Sequence, residues 1–163
     1  MFLALAVLGQ QSAVDRVFEK YSGREGYTTV YISSFMFNLM NSLEVDDPEY
    51  DEFKQATSGI SSIKILSQEG GGSEAFGREL LDMLPRAEYQ ELMVVKEEDE
   101  EVLFLAREQD GRITEFLLIV SGDDGSDALI AIQGDIDLES ISNLASGLDM
   151  PGLENLEGLE DRP

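Results

Sequence analysis

The sequence predicts an α+β domain, a two-layer sandwich in which helices pack on a mostly antiparallel sheet. Two observations predict this class. Helical and strand patterns alternate in the first half of the chain, and from residue 89 onward four strand patterns follow one another with short links. A chain of 163 residues also suits a single domain with a sizeable core. The predicted order is α-β-α-α-β-α, then a C-terminal four-strand meander, then a last helix.

The first two elements are a helix and a strand. Ser12 is a helix-capping residue with Asp15 three positions later, and apolar residues at helical spacing continue to Tyr21. Gly23 is typical of the end of such a helix. Residues 28–33 are β-branched and aromatic, and they predict the first strand.

Two more helices are predicted before the second strand. Ser34 opens the first of them, whose apolar residues repeat at helical spacing: Met36, Leu39, Met40 and Leu43. We expect Phe35 and Phe37 to pack in the core; the alternative is that, with Ser33 and Ser34, they form an exposed edge. The next helix begins at Asp46, Asp47 and Pro48, because proline suits a first helical turn.

The middle of the chain continues with residues 62–66, a strand, and residues 73–84, a helix that begins at Ser73 and is stopped by Pro85. The meander then follows, with strands at 89–96, 101–108, 112–121 and 127–133. Two of the links contain Asp-Gly, which favours tight turns. Residues 113–120 are apolar on both faces, so we expect a central strand covered by helices on at least one side.

The ends of the chain are treated separately from the domain, which we place at residues 10–148, with Asp137 beginning its last helix. Residues 2–8 read FLALAVL and resemble the apolar region of a secretory signal. Because no basic residue precedes them, we interpret residues 1–9 as a truncated signal peptide cut after Gly9; the alternative is a buried N-terminal strand or helix. Residues 149–163 predict a flexible acidic tail.

The charge and the missing residue types exclude several functions. The net charge is −23, so nucleic acids and anionic membranes would be repelled, and we expect no stable membrane insertion. Cationic peptides, basic proteins and divalent metals remain as partners. The chain has no Cys and no His, which excludes disulfides, thiolate nucleophiles, Cys- or His-based zinc sites and the Ser-His-Asp triad. We expect no catalytic activity; a carboxylate-based hydrolase is the alternative.

Acidic turns predict a candidate metal site. In a meander the first and third turns lie at the same end of the sheet, with their centres two strand spacings, roughly 10 Å, apart. The candidate ligands are the acidic residues of these two turns: Glu97, Glu98, Asp99, Glu100, Asp123, Asp124 and Asp127. Such an acidic rim suits Ca²⁺, whose ligands are oxygens. The alternative is that these are ordinary solvated turns.

Three segments carry a resemblance to a known family. Residues 20–40, 89–122 and 128–144, which include YSGREG, the Asp110-Gly111 hairpin and the turn that begins at Gly134, resemble the domain-of-unknown-function family DUF4252. We interpret these three features structurally, as a helix stop, a hairpin and a helix cap. The resemblance implies a bacterial envelope protein with a signal peptide, often lipidated on a Cys. This chain has no Cys, so a periplasmic or secreted location is favoured.

Together these inferences predict an exported, non-enzymatic envelope protein that binds a protein or peptide. The resemblance supplies no catalytic residues. The alternatives are a Ca²⁺-binding domain that uses the acidic rim and a carboxylate-based hydrolase. No other cofactor is expected.

Overall fold

The computed structural model describes residues 12–69, 76–123 and 125–136. The helices in this part of the chain are α1 (Ala13–Tyr21), α2 (Ser34–Ser42), α3 (Pro48–Thr57) and α4 (Phe76–Met83). The strands are β1 (Tyr27–Ile32), β2 (Ile60–Gln68), β3 (Gln90–Lys96), β4 (Glu100–Gln109), β5 (Arg112–Gly122) and β6 (Ala128–Ile136). The predicted signal peptide (1–9), last helix (137–148) and tail (149–163) lie outside the described residues.

Local sequence signals set the helix starts. The Ser12 hydroxyl accepts a hydrogen bond from the Asp15 N–H at 3.1 Å, which satisfies a donor that the first turn of α1 leaves free. The Asp47 carboxylate accepts from the Glu49 N–H at 3.0 Å in the same way, and Pro48 occupies the first position of α3. The predicted helix starts at Ser12 and Asp47 are therefore confirmed.

In the described part of the chain the sheet has six strands in the order β1-β2-β6-β5-β4-β3, and every neighbouring pair is antiparallel. The predicted C-terminal meander, β3 to β6, is confirmed. Because β2 pairs with β6, the last strand of the meander lies inside the sheet. The two edges of the sheet are then β1 and β3.

Helices cover the sheet on two faces. On one face α1 and α4 form the helical layer, through Val14, Val17 and Phe76 among others, over a cluster that includes Leu117 of β5. On the other face Phe37 of α2 lies in a second cluster with residues of β2, β4, β5 and β6. The α+β sandwich class is confirmed. Strand β5 is buried on both faces from residue 115 to 119, as its apolar pattern predicts.

One helix does not pack as expected. In α2 Phe37 is buried, but Phe35 is 74% exposed, and Met36 and Leu39 are also exposed. The expectation that Phe35 packs in the core is therefore wrong. The apolar residues of α2 surround most of the helix, and only the side that carries Phe37 reaches the sheet.

Candidate functional site

The acidic turns of the meander meet at one end of the sheet. The Asp123 N–H donates to the Asp99 carbonyl at 3.0 Å, which joins the loop after β5 to the turn between β3 and β4. Residues 97–100 and Asp123 are exposed. Asp124, a further candidate ligand, lies outside the described residues. The turns lie side by side because β4 and β5 are neighbouring strands.

Asp127 differs from the other candidate ligands because it is completely buried. Its two carboxylate oxygens accept from the Gly77 N–H and from the Gly122 N–H, each at 2.9 Å. Gly77 is in the first turn of α4, so a carboxylate from the loop before β6 satisfies a donor that the helix leaves free. Asp127 therefore fastens α4 to the β5–β6 loop, a structural role that occupies both of its oxygens.

Metal binding at the acidic rim stays a prediction. Within residues 12–69, 76–123 and 125–136, no three carboxylates converge as a metal site would require. The hydrogen bond from Asp123 to Asp99 joins backbone groups, and residues 97–100 and Asp123 are exposed.

A second buried carboxylate, Glu115 of β5, accepts hydrogen bonds from the Tyr89 hydroxyl and from the Gln133 amide, the latter at 3.0 Å. Burial raises the pKa of Tyr89 well above its usual value, and the neighbouring Glu115 carboxylate acts in the same direction. Gly122, to which Asp127 binds, lies seven positions after Glu115 along β5, so roughly 23 Å of strand lies between the two buried acids. Paired carboxylates that cleave glycosides lie within about 10 Å of each other, so these two do not form such a pair.

The most distinctive surface of the described chain is apolar. Of its large apolar side chains that are exposed, all but Val94 fall between residues 30 and 45. We call this group the β1–α2 surface; its members are Val30, Tyr31, Phe35, Met36, Leu39, Leu43 and Val45. Scattered exposed apolar residues are normal in proteins, but their concentration in one short segment, on α2 and at both faces of the neighbouring strand β1, is typical of an interaction site.

The packing beneath this surface holds α2 in place. Phe37 anchors the buried side of the helix in the core. At the C-terminal end of α2, the Tyr50 hydroxyl of α3 donates to the Met40 carbonyl, and the Lys54 ammonium donates to the Leu43 carbonyl at 2.6 Å. These bonds satisfy carbonyls that the end of α2 leaves free. Phe35, Met36 and Leu39 therefore stand on a helix that is held by the core at its middle and by α3 at its C-terminal end.

The charge pattern of the sequence coincides with this surface. Residues 26–43 contain no charged residue, although charged residues make up 28% of the chain. At that frequency a stretch of this length would hold about five, and depletion of charge is a mark of interface cores. Acidic residues then follow directly, at Glu44, Asp46 and Asp47.

Among the residues that the structure describes, strand β1 is an unprotected edge of the sheet. Its register with β2 runs without a shift from Tyr27 to Ile32, and it contains no charge, proline or glycine. The other edge, β3, carries a bulge after Glu91 and charges at Glu91 and Lys96. Proteins usually protect sheet edges with such features, because an open edge pairs with other strands. Only β3 has this protection.

The fold and this surface define a small α+β protein with an open antiparallel sheet and an exposed apolar edge. No described helix is both long and apolar enough to cross a membrane. The chain belongs to the family described as "Domain of unknown function (DUF4252)", whose family model matches residues 21–144 and so includes the whole β1–α2 surface. Comparison with curated proteins and with solved structures gave no match.

Sequence reasoning noticed Phe35 but missed the surface to which it belongs. Helical spacing placed Met36 and Leu39 on an apolar face, and such a face usually packs on the core. The signal that identifies the surface is the uncharged run at 26–43 in a chain of net charge −23.

Proposed function

We propose that this chain is an exported, non-enzymatic envelope protein that binds a partner protein or peptide through the β1–α2 surface. The observation that carries the proposal is the clustering of exposed apolar side chains on α2 and β1. Phe35 alone leaves 74% of its surface in water. Exposing so much apolar surface is unfavourable for a free protein, and contact with a partner would remove it from water.

Binding suits the described residues better than catalysis. The buried carboxylates Asp127 and Glu115 are both engaged with protein donors. The β1–α2 surface instead offers apolar contact area on a fixed helix, which reduces the entropy lost on binding. Its aromatic and methionine side chains are types that are enriched in interfaces.

A photo-crosslinking residue placed at Leu39 tests the binding proposal, with the same residue at Val94 as the matched control on the other edge of the sheet. In bacterial cells that export the full chain, we expect position 39 to form one discrete adduct that position 94 does not form. The partner, identified by mass spectrometry and purified, should bind at least about tenfold more weakly to Phe35→Ser than to the wild-type chain. Equal adducts at both positions would contradict the proposal.

Export is supported by the apolar run at residues 2–8. Because the chain has no Cys for lipidation, a periplasmic or secreted product is favoured over a membrane-anchored one. Expression of the full chain in bacteria, followed by cell fractionation and intact mass measurement, tests it. We expect a periplasmic or secreted product whose mass matches a chain that begins at Gln10. A product that keeps residues 1–9 and stays in the cytoplasm would show that export is wrong.

A further inference from the structure

The hydrogen-bond pattern of β1 identifies which of its backbone groups face away from the sheet. The Glu69 N–H donates to the Gly26 carbonyl at 2.8 Å, in the same register that pairs Tyr27 with Gln68. Bonded pairs in an antiparallel ladder recur every second residue. The N–H and C=O groups of Thr29 and Tyr31 therefore point away from β2.

The pairing of β2 with β6 confirms this alternation of backbone groups along the strands. The Gln68 N–H donates to the Asp127 carbonyl at 2.9 Å, so Gln68 bonds to β6 and not to Tyr27. Every second residue of β2 thus pairs with β6, and the others pair with β1. Strand β1 ends the sheet, so Thr29 and Tyr31 offer their backbone groups on the side where no described strand pairs.

The two faces of this edge differ in chemistry. Val30, 40% exposed, is paired with Ile65, which packs against the core cluster that contains Phe37 of α2. Tyr31 lies on the other face, where the Lys64 ammonium is 5.6 Å from its ring centroid. An added strand would thus have apolar neighbours on the α2 face and an aromatic ring on the α1 face.

Charge discriminates between occupants of the edge. Glu25 and Glu69 lie near its beginning, and Glu44 and Asp46 follow α2. A second copy of this chain would bring another net charge of −23 to the same place. A segment with basic residues on both sides of an apolar centre would instead be attracted.

We infer that β1 accepts an extended, apolar segment of a partner protein with basic flanks, which joins the sheet as a further strand beside Thr29 and Tyr31. This inference rests on the proposed function, because it assigns a binding mode and a partner chemistry to the same surface. Backbone hydrogen bonds supply affinity in this mode, and alternate side chains supply specificity.

The test uses the full chain and a synthetic probe, the peptide Lys-Lys-Val-Thr-Val-Thr-Val-Thr-Lys-Lys. Amide hydrogen exchange is measured by NMR with and without the peptide. We expect the amides of Thr29 and Tyr31 to exchange rapidly in the free chain and to slow at least about tenfold when the peptide is bound. The Val30 amide faces β2 and serves as the internal control, since it should be protected in both states.

Two changes to the peptide test whether it binds as an added strand, without any change to the protein. Two peptides are N-methylated at every second residue, one at the odd and the other at the even positions. One of them should lose binding and the other should keep it, because only one edge of the added strand pairs with β1. Replacement of the lysines by glutamates should weaken binding at least about tenfold at low salt. Failure of the lysine peptide to bind, or equal binding of the lysine and glutamate peptides, would overturn the partner chemistry.

Other outcomes separate this inference from the proposed function. If both methylated peptides bind and Phe35→Ser still weakens binding, the surface binds partners without strand addition, so the inference fails and the proposed function stands. Slow exchange of Thr29 and Tyr31 in the free chain would mean that the edge is already occupied. Sedimentation then distinguishes a second copy, seen as a dimer, from a segment of the same chain, seen as a monomer, and either result overturns the inference.

Discussion

Phe35 and Phe37 are two residues apart in α2, yet the first is 74% exposed and the second only 3%. Their side chains are separated by about 200° around the helix, because successive residues turn by about 100°. Phe37 reaches the core between the helix and the sheet, whereas Phe35 stands in solvent with Leu39. One residue type thus serves the fold at one position and is free to serve recognition at the other.

The first prediction contrasts these two residues. Phe37→Ala should lower the free energy of unfolding by about 3–5 kcal/mol, because it removes a buried ring and leaves a cavity. Phe35→Ser should change it by no more than about 0.5 kcal/mol, since the ring is already in water. Urea denaturation followed by circular dichroism measures both. A loss at Phe35 as large as that at Phe37 would mean that Phe35 is covered in solution.

The sequence predicts the parts of this fold that depend on local signals. Ser12 and Asp47 cap helices at the expected positions. The hairpin at Asp110-Gly111 has positive φ at both residues, as such turns require. The pairing of β2 with β6 joins segments about 70 residues apart, and no local pattern encodes such a contact.

The candidate site was less predictable for a related reason. Helical spacing indicates an apolar face, but α2 is apolar on most of its circumference, from Phe35 through Met40. Which side is buried depends on where the sheet lies, and that follows from the long-range pairing. The sequence predicts that the acidic turns lie at the same end of the sheet, because the connectivity of a meander alone determines this. The buried position of Asp127 depends on α4, whose place on the sheet does not follow from that connectivity.

The second prediction concerns Asp127. Asp127→Asn should lower the free energy of unfolding by about 2–3 kcal/mol, because the new amide N–H₂ would face a backbone donor of Gly77 or Gly122 in a buried position. Asp123→Asn, an exposed change in the same loop, should alter it by no more than about 0.5 kcal/mol.

Measuring both variants with millimolar Ca²⁺ and with NaCl of equal ionic strength also tests the acidic rim. A structural role for Asp127 requires the same loss in both salts. A loss that grows in Ca²⁺ would make Asp127 a metal ligand, because a bound ion stabilises the folded state by mass action.

The third prediction follows from the close approach of β6 to the start of β2. Gly134 has a φ of +152°, and a Cβ added there would lie 2.1 Å from the Gly59 carbonyl oxygen. The Asp135 N–H donates to that same carbonyl at 2.7 Å, so the two segments of the chain cannot move apart without losing this bond. Gly134→Ala should therefore lower the free energy of unfolding by about 3 kcal/mol or more.

Gly111→Ala is the matched control for this effect. Gly111 also has positive φ, +80°, but an added Cβ meets no atom within 4 Å. It should lower the free energy of unfolding by only about 1 kcal/mol, from backbone strain alone. Equal losses at the two glycines would show that the contact with Gly59 is not what requires a glycine at position 134.

The last prediction concerns Glu79, which joins α4 to α1. Its carboxylate accepts from the Lys20 ammonium at 2.7 Å and from the Tyr21 hydroxyl at 2.5 Å. The hydrogen bond from Lys20, which has the larger effect, and the hydrogen bond from Tyr21 lower the pKa of Glu79 below its usual value of 4.5. The folded state therefore favours the ionised carboxylate. This stabilisation is complete above pH 4.5 and is lost as the pH falls through the lowered pKa.

Glu79→Gln should accordingly reduce the free energy of unfolding at pH 7 by about 1 kcal/mol, and the difference from the wild-type chain should shrink as the pH falls below 4.5. The comparison uses the difference between variants, because acid also relieves repulsion in a chain of net charge −23. Glu19→Gln, an exposed change on α1, removes the same charge and is the control. Thermal or urea unfolding of the three chains from pH 7 to pH 3 gives the result. A Glu79→Gln difference that stays constant over this range would show that the interactions with Lys20 and Tyr21 do not favour the ionised carboxylate.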